Sequence, residues 1–194
     1  GVGNILIFNN GQGRPEGDYS SVDQISPPVD EFGVYTLEPG QAFQPDGPNW
    51  SYTAEDPFDF YSSFISGAQR LPNGNTLICS GANGTIFEVT ETHDIVWLYI
   101  NPVTDEGPLT QGDEIPAGTN GLKNSVFRTV RYSADFEGFA GHELVPGDPI
   151  ELPSPAPTPD SIPTTDSIGL SLLITIFTGV IGISSHRRKK SQSS

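Results

Sequence analysis

Residues 64–100 read FISGAQRLPNGNTLICSGANGTIFEVTETHDIVWLYI, and this stretch decides the fold. Short apolar runs alternate in it with turn sequences such as Pro72-Asn73-Gly74 and Asn83-Gly84. An Asn-Gly pair is a strong hairpin signal because both residues tolerate the positive φ of a tight turn. No segment of residues 1–150 has the 3.6-residue period of a long helix. The stretch therefore predicts antiparallel strands at 64–71, 75–79, 85–89 and 95–99.

A looser copy of this pattern lies nearer the N-terminus. Gly3-Asn4-Ile5-Leu6-Ile7 matches Gly74-Asn75-Thr76-Leu77-Ile78, and Trp50-Ser51-Tyr52 matches Trp97-Leu98-Tyr99. The first copy begins with a predicted strand at 4–8 and carries an insertion from about residue 11 to residue 48. A unit of three or four strands that closes on an aromatic strand is typical of a β-propeller blade. Residues 125–132, SVFRTVRY, alternate like the first strand of a third blade.

Two or three such units are too few for a closed ring, since propellers have roughly four to eight blades. The chain contains no Met and begins with Gly1 in an apolar run. We expect it to begin within the first blade, without that blade's innermost strand. We therefore expect an all-β fold in which residues 1–150 are the C-terminal blades of a larger propeller.

The last 28 residues differ sharply in charge from the rest. The net charge is −15, yet residues 167–194 contain no acidic residue and four cations, while residues 1–166 hold all 24 acidic residues and five cations. The uncharged stretch 167–185, with IGLSLLITIFTGVIGI at 168–183, approaches the roughly 20 residues with which a helix crosses a bilayer. It lacks the amphipathic face expected of a buried core helix, the alternative interpretation.

The cations Arg187, Arg188, Lys189 and Lys190 follow this apolar stretch directly. Because positive residues flanking a span tend to stay in the cytoplasm, 186–194 is predicted to be a cytoplasmic tail. The preceding residues are then extracytoplasmic, periplasmic or at the cell surface. Residues 151–166, ELPSPAPTPDSIPTTD, contain five prolines, which favour an extended stalk. The stalk, span and basic end also look like a prokaryotic sorting tag, so cleavage of the anchor remains an alternative to permanent anchoring.

Composition excludes several classes of function. Lys and Arg number only 9 against 24 Asp and Glu, so a nucleic-acid partner is not expected. Cys79 is the single cysteine, which excludes an internal disulfide framework and a zinc site built from cysteines. No loop follows the DxDxDG pattern of calcium sites. The sequence therefore predicts no metal site and no cofactor.

Three segments in order resemble the arylsulfotransferase family: GNILIFNNGQGRPEG at 3–17, DFYSSFISGAQRLPNGNTLICSGANGTIFEVT at 59–90, and VFRTVRYSADFEGFAGHEL at 126–144. The resemblance covers most of residues 1–150. It implies a six-bladed, secreted or periplasmic propeller that transfers a sulfo group from a phenolic sulfate ester to another phenol, without a nucleotide sulfate donor. It also implies a histidine nucleophile and a sulfate-contacting arginine near the propeller channel.

Two residues are candidates for binding sulfate. The resemblance aligns Arg14, in Phe8-Asn9-Asn10-Gly11-Gln12-Gly13-Arg14, with the family's sulfate-contacting arginine. A guanidinium fork suits the oxygens of a sulfate. Tyr61, beside a predicted innermost strand, could donate a hydrogen bond to a sulfate or phenol oxygen, or else pack between blades.

No catalytic residue is assigned. The resemblance puts the nucleophilic histidine near the strand at 84–86, where none occurs, and another histidine upstream of Gly1. His93 in a turn, His142 in a loop and His186 in the basic cluster fit solvated positions.

The predicted function is a membrane-anchored, extracytoplasmic arylsulfotransferase-like propeller, with a small aryl sulfate or phenol as substrate. The predicted C-terminal helix anchors the protein in the membrane. The alternative is a non-catalytic surface propeller that binds a ligand, a glycan or a protein. Whether the chain belongs to an enzyme stays open at this point.

Overall fold

The computed structural model describes residues 3–35 and 37–155. Within them the chain forms nine strands and three 3-10 helices, and no α-helix occurs in these ranges. The strands are β1 (Ile5–Asn9), β2 (Ser21–Ile25), β3 (Trp50–Tyr52), β4 (Ser66–Arg70), β5 (Thr76–Ser80), β6 (Thr85–Val89), β7 (Ile95–Ile100), β8 (Val103–Thr104) and β9 (Gly107–Pro108). The 3-10 helices are Pro57–Asp59, Gly81–Asn83 and Glu137–Phe139. The prediction of an antiparallel β fold is confirmed.

Seven strands form two antiparallel sheets. Sheet 1 has the order β1-β2-β3, sheet 2 has the order β4-β5-β6-β7, and β8 and β9 form a separate hairpin. In both sheets each strand pairs with the next one along the chain. Short turns join the strands of sheet 2, whereas long loops join those of sheet 1. Across residues 3–35 and 37–155 these sheets do not close into a ring.

The bounds of the predicted strands at 4–8, 64–71, 75–79, 85–89 and 95–99 shift by at most one residue, except at the start of β4, and one further strand of sheet 1, β2, was not predicted. β4 begins at Ser66 rather than at residue 64, because Ile65 has a φ of +35°, outside strand geometry. β2 lies inside the segment 11–48 that was predicted to be an insertion. Its sequence SVDQI is too polar to be distinguished from a loop, yet it pairs along its whole length with β1.

The main core lies between one face of sheet 1 and one face of sheet 2. Leu6 and Phe8 of β1 pack from sheet 1 against buried residues of both sheets. The buried members of this core are Val22, Tyr52, Phe60, Ile78, Phe87 and Val89. The alternate residues of β1, Ile5 and Ile7, lie on the other face of sheet 1 and are exposed, because successive side chains of a strand point to opposite faces.

The second face of sheet 2 is covered by residues 124–132. Leu77 and Cys79 point to this side and form a buried cluster with Leu71 and Ile86, against which Val126 packs. Burial raises the pKa of the Cys79 thiol, which fits its prediction as a small buried residue. Sheet 2 therefore lies between two layers of the same chain.

Residues 125–132 were predicted to be a strand, and this prediction is wrong. The segment is irregular, bends at Phe127 and forms no ladder with another strand. Its polar groups bond instead to sheet 2 and to the 3-10 helix between β5 and β6, where the Gly81 carbonyl accepts from the Val126 N–H at 2.9 Å. The Gln69 side chain accepts from the N–H of Arg131 at 2.8 Å and donates to its carbonyl at 2.9 Å. Arg128 and Arg131 consequently both contact the second face of sheet 2, rather than pointing to opposite sides.

An arginine over a tryptophan joins sheet 1 to sheet 2. The guanidinium carbon of Arg70, at the end of β4, lies 4.5 Å from the ring centroid of Trp50 on β3. Its Nη2 donates to the side-chain oxygen of Gln24, the β2 residue paired with Trp50, at 3.0 Å. A cation over an indole face is attracted by the negative face of the ring. We name this arrangement the Arg–Trp contact.

The same contact joins sheet 2 to residues 124–132. The guanidinium carbon of Arg131 lies 4.7 Å from the centroid of Trp97 on β7. Its Nη1 pairs with the carboxylate of Glu88, the β6 residue paired with Trp97. Trp50 and Trp97 hold matching places in the repeated sequence, so each sheet presents a tryptophan to the arginine of the segment that follows it.

Glu88 makes the second Arg–Trp contact sensitive to acid. The Asn75 amide donates to Glu88 at 2.6 Å and, with smaller effects from Asn73 and Arg131, lowers the pKa of this carboxyl, although burial acts the other way. A carboxyl with a lowered pKa in the folded state stabilises the fold above the ordinary glutamate pKa of about 4.3, and this stabilisation is lost as the pH falls through the folded-state value.

We therefore expect Glu88→Gln to reduce the pH dependence of stability below about pH 5. Urea unfolding at about pH 7 and pH 3 should show a smaller loss of unfolding free energy in the variant than in the wild type. Glu143→Gln, at an exposed position, serves as the control and should keep the wild-type dependence. An equal loss in Glu88→Gln and wild type would contradict the role assigned to this carboxylate.

The C-terminal predictions fall largely outside the described residues. Leu152 and Ser154, at the start of the predicted stalk 151–166, bond to residues 109–111 as part of the compact unit Gly1–Ser154. The remainder of that stalk, the predicted transmembrane helix at 167–185 and the tail at 186–194 lie outside the described residues. Within the part of the chain that the structure describes, no helix has the length and apolar character to cross a membrane.

Candidate functional site

Arg14 is held by the loop between β1 and β2. The loop turns at Gly11, whose φ of +70° places it in the left-handed region that favours glycine. The Arg14 Nε donates to the Tyr19 carbonyl at 3.0 Å, and its Nη2 donates to the Ser21 Oγ at 3.1 Å. The guanidinium carbon lies 4.2 Å from the centroid of the Tyr19 ring. Three contacts therefore fix the head group of Arg14.

A chain of hydrogen bonds leads from Arg14 across the exposed face of sheet 1. Ser21 accepts from Arg14 and donates to Asp23 Oδ2 at 2.9 Å, and Ser51 donates to Asp23 Oδ1 at 2.5 Å. Arg14 itself forms no ion pair with a carboxylate within residues 3–35 and 37–155. Its Nη1 also has no protein partner there, so this edge of the guanidinium can accept an anion.

Arg14 lines an open groove of about 770 Å³ on the face of sheet 1 that points away from sheet 2. Ile7 and Ile25 supply apolar surface, and Asp23 supplies the one carboxylate among the lining residues that the structure describes. The remaining lining residues are Phe8, Asn9, Asn10, Gly11, Tyr19, Ser21, Gly47, Pro48, Ser51 and Thr53. The groove thus combines one cation, one carboxylate that accepts from Ser21 and Ser51, an aromatic ring and an aliphatic wall. An organic anion with an apolar body can bind there with its charged group at Arg14.

Tyr61 is not among the residues that line this groove. Its hydroxyl donates to Asp18 Oδ2 at 3.0 Å, while the other oxygen of Asp18 accepts from the Gly13 N–H at 2.6 Å. Burial, and then the hydrogen bond and negative charge of Asp18, raise the pKa of Tyr61. The structure therefore links both predicted residues to the same loop but does not bring them into one groove, and the Tyr61 hydroxyl is engaged with Asp18.

The histidines of the described region lie away from Arg14. His93 is exposed in its turn at a φ of +73°, with its ring 5.6 Å from those of Trp50 and Tyr52. His142 is also exposed, and neither histidine lines the groove. Across residues 3–35 and 37–155, no group of three or more His, Cys, Asp or Glu side chains could hold a metal ion.

Sequence reasoning missed three polar residues of the site, Ser21, Asp23 and Ser51. They lie on strands, opposite one another or on neighbouring positions of the same sheet face, so only the register of β1, β2 and β3 brings them together. The one available signal was the alternation in SVDQI, which places Ser21 and Asp23 on the side opposite Val22.

Comparisons with known proteins add no relative. No protein family, no curated protein and no solved structure matches this chain.

Proposed function

We propose that residues 1–150 form consecutive blades of a β-propeller. Sheet 1 packs on sheet 2, residues 124–132 pack on the far side of sheet 2, and the Arg–Trp contact recurs at both interfaces. This face-to-face succession is the way neighbouring blades pack in a propeller.

We propose further that this propeller binds small aryl sulfates, with Arg14 holding the sulfate group. The observation that carries the proposal is the fixed guanidinium of Arg14, which faces an open groove with donors that have no partner in the described protein. Ile7, Ile25 and the ring of Tyr19 offer the apolar surface on which an aryl group can lie. An aryl sulfate has an anionic sulfate group to bind Arg14 and an apolar aryl group to lie on this surface.

The resemblance to arylsulfotransferases supports sulfo transfer as the reaction of this propeller. In that reaction the bond between sulfur and the donor's phenolic oxygen breaks, and a new bond forms between sulfur and the acceptor's oxygen. The acceptor loses its phenolic proton, and the phenolate that leaves the donor takes up a proton, so the reaction is balanced. Arg14 would bind the sulfate oxygens, and the lining residues named above include no histidine nucleophile. The proposal therefore assigns donor binding to this chain and no covalent step to its groove.

Arg14→Gln is expected to weaken binding of 4-nitrophenyl sulfate at least about tenfold, because hydrogen bonds to a charged group contribute roughly 1.5–3 kcal/mol. Arg14→Lys keeps the positive charge but loses the guanidinium fork, so its affinity should lie between those of the wild type and Arg14→Gln. Arg128→Gln is the matched control, since Arg128 is exposed outside the groove. Calorimetric titration of the full chain measures the affinities. Equal affinity in wild type and Arg14→Gln would refute the proposal.

The alternative, a surface propeller that binds without catalysis, makes the same prediction for binding and a different one for turnover. Full-length protein that binds 4-nitrophenyl sulfate but releases no nitrophenolate with phenol as acceptor would favour it. We keep the extracytoplasmic, membrane-anchored location as part of the proposal, on the apolar stretch 167–185 and the basic residues behind it. Protease treatment of intact cells should then remove residues 1–150, and their protection would contradict this location.

A further inference from the structure

A second cleft lies between the two sheets, on the opposite side of sheet 1 from Arg14. It has a volume of about 700 Å³ and opens between the end of β3 and the edge strand β7. None of its residues except Thr53 also lines the Arg14 groove. We call it the acidic cleft, and its lining consists of Tyr52, Thr53, Ala54, Glu55, Asp59, Phe60, Ser80, Asn83, Thr85, Phe87, His93, Ile95 and Leu98.

The floor of the acidic cleft is aromatic. Tyr52, Phe60 and Phe87 are buried, with ring centroids 5.5 to 5.8 Å apart and planes inclined to one another. Ile95 and Leu98 form an aliphatic wall and are more than half exposed. Large apolar side chains left accessible beside an aromatic floor favour a ligand with an apolar body.

A buried hydroxyl without a partner lies in the same lining. Ser80 is only 2% exposed, and its Oγ has no hydrogen-bond partner within the described residues. Its side chain is on the face of β5 that Ile78 and Phe87 share, which is the face of the cleft. A buried polar atom left without a partner costs about 1–3 kcal/mol, so a ligand group able to hydrogen-bond to Ser80 would recover part of that cost.

The charge of the acidic cleft has one sign. Glu55 and Asp59 supply two carboxylates, neither of which forms an ion pair in residues 3–35 and 37–155. The lining contains no Lys and no Arg, and His93 is its only side chain that can become cationic. Both residues are exposed, so an ion pair with either carboxylate is weak by itself, and the apolar lining has to supply the rest of the affinity.

We propose that the acidic cleft binds an organic cation, a protonated amine carried on an aromatic or aliphatic body. The ammonium group pairs with Glu55 and Asp59, and the body lies on Tyr52, Phe60 and Phe87. These three rings are only 4–5% exposed, so the body also contacts the accessible side chains of Ile95 and Leu98. This site is separate from the sulfate groove and does not rest on the proposed function, because its charge, its floor and its lining are different.

Three probes of equal size test the charge preference: 2-phenylethylammonium, the neutral 2-phenylethanol and the anionic phenylacetate. Titration calorimetry with the full 194-residue chain measures affinity, and the His93 ring proton signal, assigned with His93→Gln, locates the binding. We expect the ammonium compound to bind most tightly and to shift the His93 signal. Equal affinity for the neutral or anionic probe, or an unshifted His93 signal, would overturn the proposal.

Charge-neutralising variants test the assigned residues. Glu55→Gln and Asp59→Asn should each weaken binding of 2-phenylethylammonium about three- to fivefold, as expected for a partly exposed ion pair, and leave 2-phenylethanol unaffected. Glu114→Gln is the matched control, since Glu114 is exposed outside the cleft, and should change nothing. Circular dichroism confirms that the variants are folded. If a variant that combines Glu55→Gln with Asp59→Asn binds 2-phenylethylammonium as tightly as the wild type, the cation binds elsewhere and the proposal is refuted. An equal loss of affinity in Glu114→Gln would refute it as well.

Discussion

Ile78→Ala is expected to lower the free energy of unfolding by about 2–5 kcal/mol, the range for truncating a fully buried isoleucine. Ile78 is 0% exposed at the centre of the core between the two sheets. Removing three carbons there leaves a cavity that the paired strands on both sides cannot close. Against a typical total stability of about 5–15 kcal/mol, this is a large fraction.

Ile7→Ala is the matched control, because Ile7 holds the position of Ile78 in the repeated sequence. Ile7 is 41% exposed on the outer face of sheet 1, so its truncation should cost about 1 kcal/mol or less. Urea unfolding of both variants measures the difference. Equal losses in this chain would mean that the outer face of sheet 1 is buried in solution, contrary to the structure.

Gly11→Ala is expected to disrupt the Arg14 loop. A Cβ at this position would lie 1.7 Å from the Tyr19 carbonyl oxygen and 2.7 Å from the Arg14 Nε, which donates a hydrogen bond to that oxygen. The positive φ adds strain of about 1–2 kcal/mol, and the overlap forces the backbone to move. We expect a loss of about 2–5 kcal/mol of stability, together with at least about a tenfold loss of affinity for 4-nitrophenyl sulfate.

Gly13→Ala tests the effect of backbone strain at a positive φ without the steric overlap that Gly11→Ala creates. Gly13 also has a positive φ, +76°, but a Cβ there would meet no atom within 4 Å. This variant should lose about 1–2 kcal/mol of stability and keep its affinity for the sulfate ester. Thermal unfolding and calorimetric titration compare the two variants. If both lose affinity equally, the contact of Gly11 with Tyr19 does not position Arg14.

Much of sheet 2 could be predicted from the sequence because its information is local. Asn73-Gly74 and Asn83-Gly84 mark the turns, and the apolar runs between them have the length of strands. β2 could not be predicted in this way. Only one of its residues, Val22, is fully buried and apolar, so its strand conformation depends on pairing with β1 and β3, which lie far from each other in sequence.

The candidate site was predictable only in part, for the same reason. Arg14 could be named from its sequence context, whereas the contact of Asp23 with Ser51 beside it comes from the register of β2 and β3. Tyr61 was named from its neighbourhood in sequence, but its contact with Asp18 spans 43 residues and leaves it outside the groove. The segment 125–132 has the alternation of a strand, and alternation alone cannot supply a neighbouring strand to pair with.

The Arg–Trp contact has a consequence for how such a chain can grow. Each repeat carries a tryptophan near its end, on its last strand, and sheet 2 also carries the arginine that meets the tryptophan of the repeat before it. A gene segment that encodes the repeat of sheet 2 thus encodes both halves of the contact. Tandem duplication of that segment adds a unit that fits its neighbours at once, with no new interface to be selected.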